Sequence, residues 1–176
     1  MLIRPAQRGF SLVELMVGLA IFAILLLAVM PSYSAWMQNT KIRNTADSIL
    51  SGLQLARSEA LRRNTNVQFV VGPDSDWTVE VVNPFTTVQT RPTGQGSVGV
   101  TVTRIPAAAT TITFNSLGRV AANADGSASM TQIDFDVPTS ALPASASREL
   151  RIAVGAGGRA RMCDPNVADA TDTRYC

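Results

Sequence analysis

The side chains best placed for chemistry lie near the end of the chain. Arg159 and Arg161 are two apart, a spacing that on a β-strand puts both on one face and leaves Ala160 and Met162 on the other. Arg151 falls on the opposing strand of the same hairpin. Arg174 lies in the short segment bounded by Cys163 and Cys176. Guanidiniums converging on a rigid hairpin can clamp phosphates through charge-assisted, often bidentate hydrogen bonds. The alternative is a solvated strand that happens to carry two arginines. Asp164, Asp169 and Asp172 lie nearby, and only Tyr175 interrupts them as an aromatic.

Other chemistry is excluded residue by residue. The chain has no histidine, which removes the commonest general base and metal ligand. Asp134 and Asp136 alternate on a strand and so share a face; an exposed strand face explains them better than an acid–base or metal pair. Residues 155–158 are glycine-rich but run from one strand into another, whereas a phosphate-cradling loop opens a helix, so they read as a hairpin turn. No catalytic residue, metal site or cofactor is expected, and the protein is not expected to be an enzyme.

One further charge stands out at the other end of the chain. After a basic start (Arg4, Arg8) the sequence turns apolar at Phe10, and from Leu15 to Met30 it holds no charge and no strongly polar group. Extended to Met37, the segment reaches the length that crosses a bilayer, about 20 mostly apolar residues. Glu14 interrupts it. A carboxylate in such a span costs about 2.5–3.5 kcal/mol on insertion scales, so it usually has a partner and a role. An ordinary secretory signal peptide is the competing explanation, with Ser32-Tyr33-Ser34 offering small residues for cleavage. Against it stand the charge inside the apolar run and a helical pattern that continues beyond the cleavage point. Export makes the even pair Cys163 and Cys176 read as a disulfide. Two cysteines without histidine do not complete a tetrahedral metal site.

The stretch Gly9-Phe10-Ser11-Leu12-Val13-Glu14 resembles the class III leader of type IV pilins and type II secretion pseudopilins. The resemblance implies cleavage after Gly9 by a prepilin peptidase, methylation of the new N-terminus at Phe10, and pairing of Glu14 with the terminal amine of a neighbouring subunit. It also implies a single-pass inner-membrane protein with a periplasmic head, built into a filament with other minor and major pilins. Residues 54–64 and 114–120 further resemble the GspH/FimT branch, which takes in FimU-type minor pilins. Gly158-Arg159-Ala160-Arg161 is similar to the GRxR motif with which FimT-type minor pilins bind DNA, and this makes DNA a candidate partner. The implied function is a minor pilin that primes filament assembly at or near the tip. The alternative is a minor pseudopilin of a type II secretion system, GspH-like and without a DNA role.

The elements that must position these residues follow from periodicity. Residues 1–9 form the leader, 10–37 a transmembrane and filament-core helix, 38–64 an amphipathic helix, and 65–176 a β-rich head with a disulfide loop at 163–176. On the amphipathic helix Ile42, Ala46, Ile49, Leu53, Ala56 and Ala60 make one stripe at spacings of four and three. From residue 66 the period switches to that of strands, with runs at 67–71, 77–82, 100–105, 110–114, 132–137, 149–154 and 159–163. Residues 83–99, rich in Gly and Pro, read as a loop, and 115–119 as a turn. The expectation is an α+β, type IV pilin fold, a long helix laid on an antiparallel sheet. Without Arg4 and Arg8 the formal charge is zero, 13 of each sign, so only a local patch could attract a polyanion.

Overall fold

The computed structural model describes residues 10–73, 75–92, 94 and 98–176, with the backbone alone at 28, 29 and 31. The leader, Gly9 included, lies outside the described residues. The chain divides between Trp36 and Met37 into two compact units. One helix, α1 (Leu12–Arg63), supplies most of the first unit and the start of the second.

In the first unit the apolar side chains of α1 are exposed on all sides: Leu15 by 60%, Phe22 by 59% and Ile24 by 67%. A helix apolar all round is stable only where lipid or protein replaces water. Tyr33 and Trp36 stack at a centroid separation of 5.8 Å near its end. Among the described residues no single helix is long and apolar enough to cross a membrane; Leu12–Leu27 and Ser32–Arg63 pass that test only as a pair.

In the second unit the stripe read from the sequence is the buried face of α1. Ile42, Ala46, Ile49, Leu53, Ala56 and Ala60 are all 0–1% exposed. Among the described residues nine strands follow: β1 (Val67–Val71), β2 (Trp77–Val81), β3 (Thr86–Arg91), β4 (Thr101–Ile105), β5 (Thr111–Phe114), β6 (Val120–Ala121), β7 (Gln132–Asp136), β8 (Leu150–Val154) and β9 (Ala160–Cys163). They form two antiparallel sheets rather than one, ordered β3-β2-β1-β5-β6 and β4-β7-β8-β9. Gly52 seats the helix on the first sheet. A Cβ there would meet the Phe69 ring and Trp77. The Trp77 indole N–H donates to Ser48 Oγ at 2.9 Å. Near the middle of α1, Asn39 holds the approach to β8, donating to the Ala146 carbonyl at 3.0 Å and accepting from the Arg148 N–H at 2.8 Å.

β3 lies within the stretch expected to be a loop. Among the described residues it is an edge strand, paired with β2 alone, and most of its residues are exposed. Both its faces are polar (Thr86, Thr87, Gln89, Thr90), so it shows no apolar alternation, and Pro84 and Pro92 flank it. Its β-branched threonines suit the ladder nonetheless.

Candidate functional site

At the start of α1, Ser11 and Glu14 form a reciprocal cap. The Ser11 N–H and hydroxyl donate to Glu14 Oε2 at 2.8 and 2.9 Å, and the Glu14 N–H donates to Ser11 Oγ at 3.3 Å. This is a capping box, in which two otherwise orphaned helix donors are satisfied by side chains. Within one chain the Glu14 carboxylate therefore sits on the backbone N–H next to Phe10, the residue at which the mature chain is expected to begin. Phe10 itself is 90% exposed.

The four arginines expected to converge do not form one cluster. Arg151 turns to Asp134 on the neighbouring strand β7, with Nε–Oδ1 at 2.7 Å and Nη2–Oδ2 at 3.0 Å, a bidentate pair about 30% exposed on each side. That pair raises the Arg151 pKa. Its surroundings are acidic: burial, with Asp136 and Asp134 beside it, pushes the Glu149 carboxyl up. Arg174 pairs with Asp172 at 2.7 Å, and the hydrogen bond from Arg174 brings the Asp172 carboxyl down to about 2. Both arginines already have carboxylate partners, which the spacing on the chain does not reveal.

Arg161 is exposed on β9, opposite Ala153. Its Nη2 donates to the main-chain oxygens of Tyr175, at 2.6 Å, and Cys176, at 3.4 Å. It thereby fastens the loop that Cys163 and Cys176 close. The two cysteines are disulfide-bonded with Cα atoms 5.2 Å apart, and a bridge between Asp164 and Tyr175 lies just inside. Replacing both cysteines by serine is expected to cost about 3 kcal/mol, the chain-entropy value for a loop of this size. Chemical unfolding reads that loss, and thiol labelling of denatured, unreduced wild type should find no free thiol; labelling of both would overturn the pairing.

Arg159 was expected on the strand. It is instead the last residue of the β8–β9 turn, because Gly158 adopts a φ of 79° and delays the strand to Ala160. Among the described residues the Arg159 side chain has no hydrogen-bond or ion-pair partner, and it is exposed. The turn itself is fixed: the Gly155 N–H donates to the Arg159 carbonyl at 3.0 Å and the Gly158 N–H to the Gly155 carbonyl at 2.8 Å. Gly158 is buried against the β5–β6 turn, where any Cβ would run into the Gly118 carbonyl oxygen. That same oxygen accepts from Arg57 Nε on α1 at 3.0 Å, and the Val120 N–H donates to the Ala156 carbonyl at 3.2 Å. Sequence reasoning missed Ser11, Asn39 and Arg57 as positioning residues. For Ser11 a signal existed, a serine three residues before Glu14; for Asn39 and Arg57 the partners are 107 and 61 residues away. Among the described residues no group of three or more Cys, Asp and Glu side chains could hold a metal.

Comparison with known proteins places this geometry. The family model described as type II transport protein GspH matches residues 45–158, more than half of the chain. The model of the prokaryotic N-terminal methylation motif matches residues 4–30. No curated protein matches. Among solved structures, the fold is similar to that of the type IV minor pilin FimU of Pseudomonas aeruginosa, at 15% identity and a TM-score of 0.50, covering 77% of this chain and 97% of that one. The minor pseudopilin EpsH of the Vibrio cholerae type 2 secretion system is also similar, at 15% identity and a TM-score of 0.49, covering 72% and 99%. At such identity the likeness to FimU shows a shared type IV pilin fold, a helix on antiparallel sheets.

Proposed function

The chain belongs to the GspH family of type II transport proteins, and from that membership we propose that it is a minor pilin of a type IV pilus that helps to prime filament assembly at or near the tip. The observation carrying this is the first unit: an N-terminal methylation motif running into a helix whose apolar side chains are exposed on all sides. Such a surface needs lipid before assembly and neighbouring helices after it. Prepilin peptidase cleaves after Gly9, Phe10 becomes the methylated N-terminus, and Glu14 pairs with the amine of an adjacent subunit. The protein resides in the inner membrane with its head in the periplasm, consistent with Arg4 and Arg8 on the cytoplasmic side of the apolar run. Its partners are other minor and major pilins.

A second role at the same head is DNA contact during uptake, through Arg159 with Arg161. The exposed, unpartnered Arg159 favours it; Arg151 and Arg174, held by Asp134 and Asp172, do not take part.

Deletion of the gene, read out in parallel as piliation, transformation and exoprotein secretion, tests the assignment. Loss of pili with intact secretion is the expected result; lost secretion with intact pili would instead make this a secretion pseudopilin. Mass spectrometry of membrane-extracted protein should show a chain beginning at Phe10 and carrying one added methyl group. A start at Ala35 would overturn the pilin assignment.

A further inference from the structure

Two turns from different sheets share one construction. In the β5–β6 turn the Asn115 N–H donates to the Arg119 carbonyl at 2.9 Å and the Gly118 N–H to the Asn115 carbonyl at 2.8 Å. The β8–β9 turn repeats this with Gly155, Arg159 and Gly158 at 3.0 and 2.8 Å. Each turn ends in a glycine of positive φ, 70° at Gly118 and 79° at Gly158, followed by an exposed arginine, Arg119 or Arg159. The glycines touch, the Val120 N–H bonds to the Ala156 carbonyl, and Arg57 Nε holds the Gly118 carbonyl from the helix. The Asn115 side chain stiffens the first turn further, accepting from the N–H groups of Leu117 and Arg119 at 3.0 and 3.1 Å. The two arginines therefore leave adjacent turns, each closed by its own backbone hydrogen bonds.

Among the described residues no side-chain carboxylate pairs with Arg57, Arg119, Arg159 or Arg161, and Glu59, two residues along α1 from Arg57, is taken up by Arg62 and Arg63. The side chain of Arg119 has no partner among the described residues. Two free guanidiniums on rigid, abutting turns can hold backbone phosphates without ordering a flexible segment first. A formally neutral mature chain offers no long-range attraction, so affinity for a polyanion has to come from such local contacts.

We propose that Arg119 is a phosphate-contacting residue set beside Arg159, so that the backbone of duplex DNA crosses both turns. The inference rests on the DNA-binding role proposed above and moves the site away from the loop 163–176, toward the junction of the two sheets. It also separates two kinds of arginine: Arg119 and Arg159 reach the ligand, while Arg57 positions the turn that carries Arg119.

The test uses the full mature chain in non-ionic detergent micelles, titrated against a fluorescent duplex of mixed sequence over a range of salt. Wild type is expected to bind without sequence preference. Arg119→Gln is expected to weaken binding by about tenfold at low salt and to make the salt slope shallower by about one. Arg159→Gln should do the same and the double variant should lose more. Arg119→Lys should keep most of the binding, since an ammonium serves phosphate as a point charge, and all variants should melt with wild type. If Arg159→Gln loses affinity while Arg119→Gln binds normally, this inference is overturned and the DNA-binding role stands. If wild type itself fails to bind, the role and the inference both fall. If Arg119→Gln and Arg119→Lys lose binding together with thermal stability, Arg119 is a structural residue and the inference is overturned.

Discussion

Glu14→Leu is expected to enter the membrane at least as well as wild type and then to be missing from filaments. Removing the carboxylate lifts an insertion cost of about 2.5–3.5 kcal/mol, so failure to insert cannot explain its absence. The variant also loses the reciprocal cap with Ser11, which costs the helix start about 1 kcal/mol. Glu14→Gln separates the two effects. Glutamine keeps the geometry of a capping box, which accepts Glu or Gln at that position, but carries no charge to meet an ammonium. If pairing with a neighbour's Phe10 amine is the role of Glu14, Gln fails like Leu, and filament fractions immunoblotted for the protein show neither. If Gln assembles normally and Leu does not, the residue acts through its cap alone. Normal assembly of both would remove any functional meaning from the charge.

What the sequence made legible depended on whether a period or a partner carried the information. The buried stripe of α1 was visible because spacings of three and four leave little choice of face, and all six of its residues are in the core. Strands with one face in the core were visible for the same reason: Val67, Phe69 and Val71 alternate with half-buried neighbours in β1. β3 was not, because an edge strand with two polar faces has no alternation to read. The division into two sheets was not legible either, since strand order is settled by pairings such as β1 with β5, far apart along the chain. The arginines fared worst. Two-residue spacing puts side chains on one face but says nothing of Asp134 across a strand pair, or of the Tyr175 main chain brought round by the disulfide. Arg119 carried a faint signal, a Gly-Arg step at the end of a turn that recurs at Gly158-Arg159, and only the contact between those turns gives it meaning.

That contact carries the last large effect. Gly158→Ala is expected to destabilise the head by about 3 kcal/mol or more, although it removes nothing. At a φ of 79° an alanine pays roughly 1–2 kcal/mol in backbone conformation alone. Its Cβ would also meet the backbone of Gly118 and lie 3.3 Å from Arg57 Nε. Neither neighbour can yield cheaply: the carbonyl belongs to a turn closed by its own hydrogen bonds, and the guanidinium is already bonded to it. The two turns must part, and the bond from Val120 to Ala156 goes with them. A chain of this length loses about 2–4 °C per kcal/mol, so melting should fall by roughly 6 °C or more. Gly157→Ala is the control one residue away: it has no positive φ and nothing within 4 Å of an added Cβ. Its melting should match wild type within about 0.5 kcal/mol. Gly118→Ala should fall between them, strained by a φ of 70° but facing only side-chain atoms of Arg57 and Leu61 at 3.2–3.3 Å. If Gly158→Ala melts with wild type, the turns are not in contact, and the glycine that opens the GRxR sequence owes its place to something other than the fold.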